Sequence, residues 1–245
     1  MKVLILAAGY GTRLYPLTKD KPKPLLEINR KSIIDYLLDK VQPFLNLTEV
    51  MVVTNDKFYG PFESWARAKK FSQPISIVND GTKSNEDRLG SMGDIHFVMK
   101  QKHVEEDLLV LGGDNLFDRG LEDFLASAQK NSPKVTIGLY DIGDRNEAKK
   151  FGVVQLDAES QVISFDEKPA SPKSSLIGMC LYYLPAPSLN RVAGYLNVSR
   201  SADTSGDYIR WLYQQEAVFG FKFEGKWYDI GSIEAYEAAQ SEFQT

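Results

Sequence analysis

Val3-Leu-Ile-Leu-Ala-Ala-Gly-Tyr-Gly-Thr-Arg-Leu-Tyr-Pro-Leu-Thr18 is the stretch on which the reading of this chain turns. Val3 to Ala8 is a continuous apolar run, as expected of a strand buried on both faces. It runs directly into Gly9-Tyr10-Gly11-Thr12-Arg13, where glycines let the backbone approach a phosphate and aim N–H groups at it. A dinucleotide fingerprint requires glycine or alanine where Leu14 stands, opening a helix, and Pro16 follows too closely for one. A P-loop requires Gly-Lys-Ser/Thr after four intervening residues, and Gly9 is followed by Arg13 four residues on and by no such triplet. What remains is a glycine turn followed by Arg13, Lys19, Lys21 and Lys23. Pro22 and Pro24 stiffen the backbone around Lys23. A rigid cation beside a glycine turn suits a polyanion such as a nucleoside triphosphate.

Outward from that turn, apolar runs alternate with helix-period segments. A helix opens at Ser32, with a cap-like serine and an acid three residues on, and places Ile33, Ile34, Leu37, Leu38 and Val41 on one face. Strands are expected at 50–54, 75–78 and 108–111, a helix along Leu89, Met92, His96 and Met99, and another along Leu121, Phe124, Leu125 and Ala128. The second half is richer in strands, at 135–140, 152–156, 162–165, 177–184 and 218–223, with helices near 207–215 and from Ile233. The order predicts an α/β fold: an open, mostly parallel twisted sheet flanked by helices. No long polar linker interrupts it. The expectation is one domain over 1–245, with a nucleotide-binding half to about residue 130 and a sugar-phosphate half from about 131.

The 245 residues are 43% hydrophobic and 25% charged, which excludes wholesale disorder. A folded chain of this mass exposes roughly 11,000 Å², so a full core needs no staple. Cys180 is alone, so it forms neither an intrachain disulfide nor a zinc cage, and its apolar surroundings predict a buried inert thiol. A net charge of −4 argues against nucleic-acid or membrane-surface partners. No apolar run reaches the ~18 residues of a membrane span, and Val3 to Ala8 is shorter than the ~7–15 residues of a signal core. A cytoplasmic protein is expected, and a homodimer stays open.

Two carboxylates stand out. Asp114 follows the apolar run 108–111 through Gly112-Gly113, at the carboxyl end of a strand, where open parallel sheets collect ligands. Asp229 sits in Trp227-Tyr-Asp-Ile-Gly231, again between aromatics and glycine. Oxygen ligands of this kind suit Mg²⁺, which shares one or two carboxylates with substrate phosphates. Only two histidines are present, His96 and His103, and neither falls in a motif.

The combination of Leu-Ala-Ala-Gly-x-Gly-Thr-Arg-Leu-x-Pro-Leu-Thr with Pro-Lys-Pro-Leu resembles the signature of the sugar-phosphate nucleotidylyltransferases, the glucose-1-phosphate thymidylyl- and uridylyltransferase kind. Leu-Gly-Gly-Asp-Asn, Trp-x-Asp-Ile-Gly and Glu-Lys-Pro add to it, so the likeness covers nearly the whole chain. It implies a nucleotide-diphospho-sugar transferase fold of Rossmann-like type. It further implies transfer of a nucleotidyl group from UTP, dTTP or CTP to a sugar 1-phosphate, with release of pyrophosphate. The resemblance gives Leu6, Ala8, Gly9, Gly11, Thr12 and Arg13 to the nucleotide, Arg13 and Lys23 to catalysis, and Asp114 and Asp229 to Mg²⁺. It gives Gly152, Glu167 and Lys168 to the sugar phosphate, although Glu167-Lys168-Pro169 alone reads as a surface turn. The chemistry agrees, because a phosphate monoester is largely dianionic at neutral pH and attacks without a general base.

The segment 79–94 departs from the pattern. Those relatives carry a glutamine there, and none is present here. Asn79, Gly81, Asn85 and Gly90 are the candidates to face the base. A cytidylyltransferase acting on another phosphorylated acceptor, such as phosphocholine, is the alternative enzyme. A nucleotide-binding regulatory pseudo-enzyme and a glycosyltransferase are the alternatives of other classes, disfavoured by the paired carboxylates and by the Pro-Lys-Pro segment respectively.

Overall fold

The computed structural model describes residues 1–199 and 204–243. β1 (Lys2–Leu6) leads into the glycine turn. A two-residue hairpin, β2 (Glu27–Ile28) and β3 (Lys31–Ser32), precedes α1 (Ile33–Val41). Then come β4 (Glu49–Thr54), α2 (Tyr59–Arg67), β5 (Ile75–Asn79), α3 (Gly90–Gln101), β6 (Leu108–Gly112), β7 (Asn115–Phe117) and α4 (Glu122–Asn131). The second half contributes β8 (Thr136–Asp141), α5 (Arg145–Ala148), β9 (Gly152–Leu156), β10 (Val162–Glu167) and β11 (Leu176–Leu184). It ends with α6 (Asn190–Val198), α7 (Ser205–Leu212), β12 (Phe219–Phe223), β13 (Trp227–Asp229) and α8 (Ile233–Glu242).

The central sheet is mixed and mostly parallel. β5, β4, β1 and β6 lie side by side in parallel register. β11 runs against β6, β8 and β9, and β10 runs against β9, so only β10 and β11 oppose the common direction. Helices cover both faces. Leu4, Met51 and Val53 point toward α3, α6 and α7, whereas Val3, Ile5 and Val52 point toward α1, α2 and α4. The alternation of a buried strand thus feeds two hydrophobic layers.

β11 is where the sheet forks. β8 runs along one of its edges, and the other edge is shared by β9 at Ile177 and β6 from Leu181 to Leu184. Register slips between Gly178 and Tyr182, and Cys180 takes a left-handed backbone at φ 54°. The gap between the carboxyl end of β6 and the start of β9 is the mouth of a large cleft.

Three local expectations change. Ser32 makes no capping bond; its backbone belongs to the β2–β3 hairpin, and its hydroxyl is buried without a partner. The buried face of α3 is Met92, Ile95 and Val98 with Asp94, rotated from the Leu89–Met92–His96–Met99 stripe. Cys180 is half-buried on the cleft wall rather than sealed in the core. Its thiol is nevertheless pushed up to about 12 by desolvation and by Asp114, so it stays protonated.

Candidate active site

The cleft has a volume of about 770 Å³ and draws its walls from both halves of the chain. At one end, β1 and β6 deliver the charged groups. The N–H of Gly113 donates to the carbonyl of Leu6 at 2.9 Å. A Cβ on Gly113 would stand 2.6 Å from that oxygen and 3.0 Å from the ring of Pro24, so only glycine lets the three segments close together. Their closure brings the residue after Gly113 beside the residue before Pro24. Lys23 Nζ meets Asp114 Oδ2 at 2.8 Å. Pro22 and Pro24 hold Lys23 in a single 3₁₀ turn, as their fixed φ angles favour.

Asp229 arrives from the other half. β13 pairs antiparallel with β7, Asp229 opposite Asn115, and the N–H of Ile230 donates to the Asp114 carbonyl at 3.0 Å. Trp227 Nε1 donates to Asn115 Oδ1 at 2.6 Å and fixes this ribbon. Burial opposes the charge of Asp114, but Lys23 outweighs it and holds the carboxyl below its usual range. Asp229 is pushed up to about 7, by burial first and then by the charge of Asp114. The two carboxylates repel each other beyond what Lys23 and Arg13 offset at Asp229, and a further cation between them would relieve the repulsion. Among the described residues no group of three or more His, Cys, Asp or Glu side chains is arranged for a metal. A two-carboxylate set fits a hard cation that completes its shell with phosphate oxygens and water.

The glycine turn closes tightly. Gly11 adopts φ 63°, Thr18 Oγ1 donates to its carbonyl at 2.6 Å, and Thr12 to Leu14 form one 3₁₀ turn rather than an α-helix. Asn55 braces the turn by donating to the Ala8 carbonyl at 2.8 Å. Gly9 is exposed with open space about it, and Arg13 projects into the cleft near Gly231 and Asp229.

The other end is built by strand edges. Glu167 pairs with Gly152 across β10 and β9. A Cβ on Gly206, in the first turn of α7, would overlap the Glu167 carboxylate, and one on Gly152 would overlap Phe165. Glu167 therefore sits in a slot cleared by two glycines, where burial pushes its carboxyl up. Lys168 Nζ lies 3.8 Å from Glu167 Oε1, and the Lys168 N–H donates to the Phe151 carbonyl at 3.0 Å. Tyr182 and Ser205 share a 2.8 Å hydrogen bond in the cleft wall.

Arg13, Asp114, Asp229, Gly152, Glu167 and Lys168 thus line one cleft, and Lys23 touches it through Asp114. Asn79, Gly81 and Gly90 are not among the cleft's lining residues, although α3 reaches the cleft at Ser91, next to Gly90. The amide of Asn79 is occupied, donating to Asp56 at 3.0 Å and accepting from the Gly81 N–H at 2.8 Å. Gly81 and Gly90 both take positive φ, 81° and 76°. Neither histidine lines the cleft. Sequence reasoning missed Gly206 and Ser205, whose signal was the cap Thr204-x-x-Asp207: Thr204 Oγ1 accepts from the Asp207 N–H and starts α7 there. It also missed Asn55, which braces backbone and carries no motif of its own, and the part of Asn115, which ends the Leu-Gly-Gly-Asp-Asn motif and accepts from the Trp227 indole.

A glycine turn at a strand end, an acid at the carboxyl edge of a parallel sheet and cations around both make a corner suited to an anionic ligand, at the place where open α/β sheets collect them. The nucleotidyl transferase family model matches residues 2–245, and the chain belongs to that family. The bifunctional protein GlmU of Methanocaldococcus jannaschii is 30% identical over 232 residues. That match takes in 94% of the chain and 51% of GlmU, so the chain spans about half the length of this relative. A Bacillus anthracis protein described as a glucose-1-phosphate thymidylyltransferase, solved in complex with a sucrose, shares the fold at TM-score 0.82 and 21% identity, over 100% of this chain and 97% of that one. A UDP-glucose pyrophosphorylase complexed with UDP-glucose does so at TM-score 0.82 and 22% identity, over 98% and 97%.

Proposed function

We propose that the chain transfers a nucleotidyl group from a nucleoside triphosphate (UTP, dTTP or CTP) to a sugar 1-phosphate, giving a nucleotide sugar and pyrophosphate. The observation that carries this reading is the single cleft with two unlike ends. One holds Lys23, Asp114 and Asp229, suited to a triphosphate with Mg²⁺; the other holds a carboxylate for hydroxyls and a lysine for a phosphate. GlmU and the two named structural relatives support it by what they are called. The two halves, 1–130 and 131–245, work as one unit because the cleft needs both.

A phosphate oxygen of the sugar 1-phosphate attacks the α-phosphorus, the bond to the β-phosphate oxygen breaks, and pyrophosphate leaves. No proton need move at the nucleophile. The difficulty is bringing two anions in line, so positioning and charge neutralisation carry the rate. Lys23 and Arg13 offset charge on the triphosphate. Lys168 offsets charge on the attacking phosphate, and Glu167 accepts hydrogen bonds from sugar hydroxyls. Asp114 and Asp229 would hold Mg²⁺, which supplies Lewis-acid neutralisation of phosphate oxygens. Pyrophosphate release, measured for each triphosphate against a panel of sugar 1-phosphates and phosphocholine, tests the reading. Turnover with phosphocholine alone replaces it by the cytidylyltransferase alternative; no turnover with any pair sinks it.

A further inference from the structure

Two buried carboxyl groups outside the cleft have no use in this scheme. Asp80 follows β5, and its Oδ1 accepts from the N–H and the hydroxyl of Thr82, both at 2.7 Å. Its Oδ2 is buried without a donor, as is Oδ1 of Asp94 in α3. The two residues are 8% and 6% exposed and lie within hydrogen-bonding reach of each other. Two acceptor oxygens brought together out of water repel unless a proton lies between them.

The pair stands at the root of the segment 81–90. The N–H of Asp80 donates to the Thr54 carbonyl at 2.9 Å, and the N–H of Asp56 to the Thr82 carbonyl at 3.0 Å. The Tyr10 hydroxyl, between the two glycines of the phosphate turn, donates to Thr82 Oγ1 at 3.5 Å. We propose that Asp80 and Asp94 are positioning residues for the nucleotide: a proton shared by their carboxyl groups ties α3 to the end of β5, and through Thr82 to the glycine turn. This rests on the reading of the chain as a nucleotidyltransferase.

Asp94 is the partner that keeps the proton, since burial and the charge of Asp80 push it up from 3.8 to about 8. Asp80 supplies the charged neighbour; α6 and α7, packed over α3, bring the buried side chains of Tyr195 and Tyr208, and burial pushes the Tyr208 phenol up. In the unfolded chain Asp94 ionises near 3.8. The stabilisation is therefore complete below that pH and declines as pH rises to about 8, beyond which both states are ionised.

The test is calorimetric affinity, with Mg²⁺ present, for whichever of UTP, dTTP, CTP, GTP and ATP binds tightest, from pH 6.5 to 9. Wild-type affinity falls about fivefold between pH 7 and pH 9, within the limit of tenfold per unit for one proton. Asp94→Asn, whose amide donates to Asp80 at every pH, loses this fall and keeps only the rise that accompanies ionisation of Asp229 near 7, and Asp94→Ala binds weakly throughout. Urea unfolding loses its downward slope between pH 5 and 8 in Asp94→Asn. An Asp94→Asn profile that tracks wild type, or an Asp94→Ala protein with wild-type affinity, overturns the proposal. Wild-type protein that binds no triphosphate sinks the nucleotidyltransferase reading and the positioning role with it. The unfolding slope then still decides whether the proton is shared.

Discussion

The two ends of the cleft are built on different principles. At the β1–β6 end, parallel strands stop together and their following residues converge, so Lys23 and Asp114 meet although 91 positions separate them. Charge is concentrated there, and Gly113 matters because it admits a backbone. At the β9–β10 end, the strands are antiparallel and one side chain, Glu167, is aimed along a strand edge. Gly152 and Gly206 matter there because they admit that side chain and its neighbour Phe165. On the function proposed above, the first end neutralises an anion and the second recognises shape and hydroxyls.

This contrast predicts unequal costs. Asp114→Asn or Asp229→Asn lowers kcat by about 10²-fold or more, as loss of a major electrostatic element does. Chelator abolishes turnover in the wild type. Full activity in excess chelator would break the distinction between the ends. Lys168→Ala weakens sugar 1-phosphate binding by about 1.5–3 kcal/mol, the range for one charged hydrogen bond. Triphosphate affinity holds in that variant. Calorimetry showing the opposite split means the ends are assigned the wrong way round.

Gly206→Ala sharpens the account of the second end. The added methyl meets the tip of Glu167, a flexible group, so the side chain moves while the fold stands. Alanine also favours the helix by about 0.5–1 kcal/mol over glycine, which offsets strain in α7. The expected result is an unchanged unfolding midpoint with sugar 1-phosphate affinity reduced about tenfold, or roughly 1.4 kcal/mol. Equal affinity in the variant and the wild type removes Glu167 from the recognition surface.

Legibility in the sequence follows the same divide. Continuous apolar runs marked β1, β4 and β6, because strands buried on both faces have no polar alternation to disguise them, whereas the edge strand β5 showed only Ile75, Ile77 and Val78. The motifs around Lys23, Asp114, Asp229 and Glu167 fall on one cleft. α2 escaped because Gly60 and Pro61 read as loop, although proline is tolerated in a first turn. β7 and β13 escaped because three residues carry no period, and their pairing joins positions more than a hundred apart. The slot around Glu167 was invisible for a different reason. Nothing local in Thr204-Ser-Gly-Asp207 says that the glycine faces a carboxylate from β10.

The smallest expected effect belongs to the histidines, and it tests whether either end employs a general base. His96 lies half-buried in α3, where desolvation lowers its pKa, and His103 sits in the following turn at φ 48°. Neither lines the cleft. His96→Gln keeps helix propensity, and His103→Asn suits a left-handed backbone better than glutamine, so the double variant has no reason to unfold. If the attacking phosphate is already ionised, removing both imidazoles leaves kcat within a few-fold and the pH–rate profile unaltered. A folded double variant that loses turnover, or whose profile sheds a limb near neutral pH, would mean that a histidine takes a proton. The view that charge placement at the β1–β6 end suffices for the chemistry would then fail.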